Sequence, residues 1–369
     1  MDWHADRDAM KQAFHKIEGA GGDVLGGQPI FGYVRLRAAN DELELVSSNS
    51  IVTATTAMDA HVSTGGQICV LLKPFHNAIE LLSTGNVRMQ LGATNRLTMT
   101  GGGRVLTLSG LSVNDYPPMP EPPPKHVRIP AEALRVLLTR TEHAASKKLD
   151  KPESAIIHIS WKKPHLTAFA RDGFRAAEAK VTCEVHKLQE LIIHRLASTE
   201  ILRLLNEAPP EYLDVSETDN HTFIRAGRTL VAIAKLAGQV PEHPPEMCLL
   251  QARVARVSRQ ALLEALRASK RMTQESAVWL SLEADGITVS SDPGVQAASV
   301  EEHVPGEVHG TPLKLCVNGD YLSEGLEALV TETVSVGFGD TPQDMVSLRP
   351  DADEDEDVNM IFCPNVITC

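Results

Sequence analysis

The chain is written three times over, and this internal repeat constrains the fold more than any other feature. The strand-like run Leu43-Glu44-Leu45-Val46-Ser47-Ser48-Asn49-Ser50 recurs as Leu166-Thr167-Ala168-Phe169-Ala170-Arg171-Asp172-Gly173. It returns once more as Ile287-Thr288-Val289-Ser290-Ser291-Asp292-Pro293-Gly294. Each copy is followed by a second apolar stretch ending near Val62, Val185 or Val304, then by an apolar helix. The closing leucines of those helices, Leu82, Leu205 and Leu329, are spaced 123 and 124 residues apart. A β-like run follows each, at 87–91, 212–215 and 334–338, and the hairpin 97–108 turns at Gly101-Gly102-Gly103. Amphipathic periodicity predicts six helices, over 6–18, 72–84, 131–148, 194–208, 258–272 and 318–332. Pro130 suits the entry to the third and Ser258 the N-cap of the fifth. A supersecondary unit repeated at one period predicts an array of like domains, here α+β, each with two helices packed on antiparallel strands.

Two proline clusters, 116–124 and 240–245, are too dense for helices or central strands and read as stiff linkers. They predict domains over 1–124, 125–247 and 248–369. With 43% hydrophobic but only 4% aromatic residues, the cores must be aliphatic. No apolar run is long enough to cross a membrane as a helix. The mixed, acidic start Met1-Asp2-Trp3-His4-Ala5-Asp6 is unlike a secretory signal, so the expectation is a cytoplasmic protein with no membrane partner. The six cysteines are scattered with no Cys-x-x-Cys pair, which argues against a zinc site or a disulfide framework.

The standard catalytic motifs are missing: no Walker-type loop, no His-Glu-x-x-His and no Gly-x-Ser-x-Gly. The glycine groups at 19–27 and 101–103 lack the following helix that makes a phosphate cradle. No catalytic residue, cofactor or metal is assigned. An enzyme with a dispersed active site on a repeated scaffold stays open as a competing reading, and a cleft of perturbed ionisable groups would mark it. A monomeric interaction scaffold is another.

The charge is segregated. Net charge is −13. The six predicted helices hold 14 basic and 13 acidic residues, so they total +1 and leave −14 on the rest. A helical face that meets phosphates would need this division. The last helix, with Asp320, Glu324, Glu327 and Glu332, fits it poorly. The acidic run Asp351-Ala352-Asp353-Glu354-Asp355-Glu356-Asp357 is read as a solvated hairpin loop.

Three such units resemble the bacterial β sliding clamp family of the replicative polymerase, DNA polymerase III. Pro29-Ile30-Phe31-Gly32-Tyr33-Val34-Arg35-Leu36 looks like the family's first-domain strand, and Leu106-Thr107-Leu108-Ser109-Gly110-Leu111 followed by Tyr116-Pro117 like the strand and linker closing that domain. Phe169-Ala170-Arg171-Asp172-Gly173-Phe174-Arg175 resembles the family's Ala-Thr-Asp-Gly-His-Arg-Leu segment. Asn359-Met360-Ile361-Phe362-Cys363-Pro364-Asn365 resembles its closing strand, which ends Met-Pro-Met.

The resemblance implies repeated sliding-clamp domains and a head-to-tail homodimer closed into a ring around duplex DNA. It implies no enzymatic activity and sequence-independent phosphate contacts that allow sliding. DNA-facing residues would be Lys11, Arg135, Arg140, Lys147, Lys148, Arg203, Arg267, Lys270 and Arg271. Leu106 and Leu108, with Met272 on the opposite side, would form the dimer interface. A pocket for short linear peptides would be built from Arg171, Gly173, Phe174, Arg175, Pro241, Val346, Ile361, Cys363, Pro364 and Asn365. Its users would be the replicative polymerase, the clamp loader, and other polymerases and repair proteins. The sequence departs from the family there. Phe174 replaces the usual histidine, Ala176 the leucine, and Cys363 and Asn365 the methionines. The chain also continues through Val366-Ile367-Thr368-Cys369. Those departures also suit a specialised or mobile-element paralogue of the clamp.

Overall fold

The computed structural model describes residues 1–22, 26–148, 152–185, 190–207, 209–235, 252–291, 299–351 and 358–362. The described residues form six α-helices: α1 (Arg7–His15), α2 (Leu72–Leu81), α3 (Ala131–Thr141), α4 (Arg195–Glu207), α5 (Arg259–Thr273) and α6 (Gly319–Ala328). All strand pairings with a described register are antiparallel, and they build two large sheets.

The chain divides into two compact units. The first takes the described residues of 1–135 and 192–235 together with Val185. Its strands run in the order 127–130, 212–217, 221–226, 229–234, 52–59, 42–48, 33–39, 66–71, 104–111, 96–101, 86–91, 2–6 and 61–64. The seam between repeats lies at Thr229–Ala234 against Val52–Asp59, where Thr229 faces Thr56 and Ile233 faces Val52. Both threonines are buried, and their hydroxyls lie 2.9 Å apart. That hydrogen bond satisfies two groups that would otherwise be desolvated without a partner.

The second unit holds the described residues of 136–184, 190–191 and 252–362. From Ile156–Lys162 its strands follow the order 156–162, 165–171, 175–182, 358–362, 346–350, 333–338, 253–258, 301–309, 286–290, 277–283 and 313–318. Here the seam is Arg175–Thr182 against Val358–Phe362, with Ala176 opposite Ile361. The strands of the middle repeat are therefore shared between two sheets, each sealing an edge that would otherwise stay exposed.

Strand alternation follows the sequence period of two: along Val52–Asp59 every second residue is buried. The helices bury one stripe, Met10, Ala13 and Phe14 on α1 and Leu262, Leu263, Ala265 and Leu266 on α5. Phe14 meets Phe75 of α2 edge-on, ring centres 5.2 Å apart. Arg7, at the start of α1, donates from Nε to the Ile79 carbonyl near the end of α2. Arg259, at the start of α5, does the same from its guanidinium to the Leu326 and Thr331 carbonyls around the end of α6. First and third repeats thus close their helix pairs with one device. The hairpin at Gly102-Gly103 needs positive φ at both residues, 55° and 79°, which glycine adopts without strain.

Four expected helix spans, 6–18, 72–84, 131–148 and 318–332, were too long. The α1 helix stops at His15 and a separate 3-10 turn covers Glu18–Ala20. The α6 helix stops at Ala328, where Leu329 turns extended. Leu82 and Leu329 are buried one residue past their helix ends, so the apolar period outlasts the helix and overstates its length. The remaining case, α3, bears on the candidate site. Ser258 caps α5 as expected, its hydroxyl accepting from the Ala261 amide. The acidic run beyond Asp351 and the second proline cluster lie outside the described residues.

Candidate functional site

In the first unit, each candidate cation on a helix already holds a carboxylate. Lys11 on α1 lies 2.8 Å from Glu80 of α2, and its hydrogen bond keeps the Glu80 carboxyl below the usual range. Arg135 on α3 grips Glu132 one turn earlier, with Nε to Oε2 at 2.7 Å, and lowers that carboxyl in the same way. Arg203 on α4 is mostly covered. It reaches Glu200 at 2.5 Å and Glu18 at 3.4 Å. Glu18 also meets the Nδ1 atoms of His15 and His76, at 2.7 and 2.8 Å. Burial pushes the Glu200 carboxyl up against the pull of Arg203. Gly19 makes room for Glu200, since a Cβ there would come within 2.1 Å of its Oε1.

In the second unit, α5 and α6 lie side by side, and their facing charges pair. Lys270 Nζ is 2.5 Å from Asp320 Oδ2, and Arg267 is 2.8 Å from Glu327. Burial pulls the Asp320 carboxyl upward, but hydrogen bonds from Lys270 and Ser276 outweigh it and hold it low. Arg271 is exposed and has no ion pair among the described residues. Arg140 lies in the last turn of α3, half-buried. The expected helix 131–148 ends early. The Thr141 hydroxyl turns back onto the Leu137 carbonyl, a 3-10 turn covers Glu142–Ala144, and Ala145 is extended. Lys147 and Lys148 are therefore exposed loop residues beyond the helix.

The peptide-pocket candidates gather around a turn. Asp172 Oδ1 accepts from the Phe174 and Arg175 amides at 3.0 and 3.1 Å, with Gly173 at φ 92°. Arg175 is buried. Its guanidinium donates to Asp172 and to Glu324 of α6 and stacks 4.3 Å from the Tyr321 ring centre. It is thus a brace between strand and helix. Phe174, 48% exposed, lies beside Tyr321 with ring centres 6.4 Å apart. Arg171 is exposed and Val346 buried. Ile361 takes its place in the closing strand opposite Ala176. Pro241, Cys363, Pro364 and Asn365 lie outside the described residues. Sequence reasoning missed Tyr321 and Glu324 in this cluster. The acids of α6 counted only as a misfit for a phosphate-facing helix, and nothing local linked them to residues some 150 positions earlier.

Leu106 and Leu108 are half-buried on the strand Arg104–Leu111. Among the described residues, 104–109 pair only with Arg96–Gly101, while Gly110 and Leu111 reach across to Val70 and Cys69. One backbone edge of 104–109 is open. Met272 is exposed at the end of α5. Elsewhere, Glu283, Asp285 and His303 come within metal-ligand reach of one another, all exposed to solvent.

Comparison with known proteins agrees along the chain. The family described as DNA polymerase III beta subunit, N-terminal domain, matches residues 25–120, and its C-terminal domain matches 250–364. Together they cover more than half of the chain. The beta sliding clamp of Halalkalibacterium halodurans is 23% identical over 328 residues, 84% of this chain and 86% of that protein. That of Bacillus subtilis is 22% identical over 327 residues, with 84% and 86% covered. Among solved structures, the DNA polymerase III beta subunit of Thermotoga maritima superimposes with a TM-score of 0.88 at 14% identity, covering 98% of both chains. The Bacillus subtilis sliding clamp gives 0.83 at 19% identity, with 99% of this chain and 98% of that one covered. With its repeated α+β units, sheets sealed edge to edge and both terminal family domains in order, this chain belongs to the DNA polymerase III beta subunit family, the beta sliding clamps.

Proposed function

We propose that two copies of this chain close head to tail into a ring around double-stranded DNA, tethering a DNA polymerase for processive synthesis while doing no chemistry themselves. The observation that carries this reading is the edge pairing. Each repeat-to-repeat seam is antiparallel and hydrogen-bonded, and the strand 104–109 keeps one edge open beside Leu106 and Leu108. Pairing that edge with the third repeat of a second copy, near Met272, continues the same construction and closes on itself. The helix cations Lys11, Arg135, Arg140, Arg203, Arg267, Lys270 and Arg271, with Lys147 and Lys148 in the loop, then meet phosphates without reading bases. The surface around Phe174 and Tyr321 takes short linear peptides of the replicative polymerase, the clamp loader and repair proteins. The ring works in the cytoplasm, on the chromosome.

Negative-stain electron microscopy of the purified protein tests this directly. Class averages with six similar lobes around an open centre are expected; compact particles without a hole would overturn the clamp reading. The exposed Phe174, where the family has histidine, favours a second version: a specialised paralogue with a changed partner pocket. A housekeeping polymerase's clamp-binding peptide separates the two. Ordinary affinity assigns the protein to the housekeeping role, and affinity weakened tenfold or more assigns it to the paralogue.

A further inference from the structure

Two acids sit where helix electrostatics disfavour them. Glu80 and Glu327 lie in the last turns of α2 and α6, where backbone carbonyls already concentrate negative charge. They occupy the same place in their repeats, two residues before the closing leucines Leu82 and Leu329. The carbonyl ends of those helices are served by Arg7 and Arg259, and the Glu80 carboxylate also lies 3.6 Å from the Arg7 guanidinium. Each also holds an exposed cation on the neighbouring helix, Lys11 for Glu80 and Arg267 for Glu327. Asp320 does the same for Lys270. In the middle repeat the corresponding residue is Arg203, with the sign reversed and carboxylates as partners. The position two before the closing leucine carries an inter-residue ion pair in all three repeats.

These pairs are open to solvent. The side chains of Lys11, Arg267 and Lys270 are each nearly half exposed, as are their acids. A phosphate can therefore reach the cation, but it competes with a carboxylate at 2.5–2.8 Å. Exposed pairs of this kind are worth at most about 1 kcal/mol, so exchange between carboxylate and phosphate is cheap in both directions. Seen from a distance the pair is neutral and releases few counterions from DNA.

We propose that Glu80, Asp320 and Glu327 are built-in counter-ions that hold Lys11, Arg267 and Lys270 in a state able to touch duplex phosphates briefly but not to grip them. This deepens the clamp reading and rests on it. Sequence-independent phosphate attraction then comes chiefly from Lys147, Lys148 and Arg271, which carry no such partner among the described residues. A clamp that must slide gains from contacts that break as easily as they form.

The test is the salt dependence of duplex binding by the full chain, read by fluorescence anisotropy on a short labelled DNA between 50 and 200 mM salt. The variant Glu80→Gln/Asp320→Asn/Glu327→Gln should bind more tightly at low salt. Its log-affinity against log-salt slope should steepen by about 0.9 for each cation that reaches a phosphate, or roughly 3.5-fold more affinity lost per cation across that range. Adding Lys11→Gln/Arg267→Gln/Lys270→Gln to this variant should return the slope to that of the natural chain. A control with the same charge change at exposed acids that hold no ion pair among the described residues, Glu121→Gln/Glu184→Gln/Asp219→Asn, should leave the slope unaltered. Equal steepening in control and helix variants, or none in either, overturns the proposal while leaving a DNA-binding ring in place. No duplex binding by any protein at 50 mM salt overturns both this proposal and the clamp reading.

Discussion

Replacing Leu106 and Leu108 together by lysine is expected to turn the dimer into a folded monomer. Both leucines are half-buried in the single chain, on a strand segment with one open edge, so neither is needed to complete the core. In the proposed ring the remaining apolar area of each is covered by the partner, worth about 1 kcal/mol or more per side chain. Two ammonium groups placed in that seam lose water, a penalty of several kcal/mol. The combined change should weaken the dimer by more than about a thousandfold. Sedimentation velocity should show the mass fall from two chains to one with the circular dichroism unchanged. A dimer that persists would place the contact elsewhere.

The second large effect is on stability in acid. His194 lies at the end of the strand Glu190–His194, buried, and its Nδ1 accepts the Leu196 amide hydrogen at 3.1 Å as α4 begins. That bond leaves the proton on Nε2 and the ring neutral. Burial lowers its pKa from the ordinary 6.5 to about 4. The unfolded chain therefore takes up a proton between those values while the folded one does not. Stability is retained above pH 6.5 and lost as pH falls toward 4, by up to about 3 kcal/mol from this group. His194→Asn keeps an acceptor for the Leu196 amide and removes the titration. Urea unfolding from pH 7 to pH 4 should show a shallower decline for that variant than for the natural chain. Parallel declines would show that the imidazole is solvated and titrates normally.

Much of the architecture was legible because it is local. The periods of 3.6 and 2 report which face of a helix or strand is buried, and Ser258 marks its helix start by a contact only three residues long. Hence the repeated units, the six helices and their order could be read directly. The helix ends were less legible, because Leu82 and Leu329 continue the apolar period while the backbone has already turned extended. The candidate cations were visible as residue types, but their partners were not. Lys11 and Glu80 are 69 residues apart, and Arg175 and Glu324 are 149 apart. An excess of base on one helix therefore looked like free charge, and the acids of α6 looked like a misfit. Arg267 and Lys270 pair across to Glu327 and Asp320, and Glu324 goes to Arg175.

By itself, then, the sequence determined the threefold α+β repeat and the faces each element buries, since those follow from hydrophobic spacing within a dozen residues. Which edges seal, with the middle repeat shared between two sheets, was decided only by the tertiary structure. So was the place of Arg175, a candidate pocket residue, as a buried brace bonded to Asp172 and Glu324 and stacked on Tyr321. Edge pairing and ion pairing depend on where distant segments meet in space, and no periodicity along the chain encodes that distance.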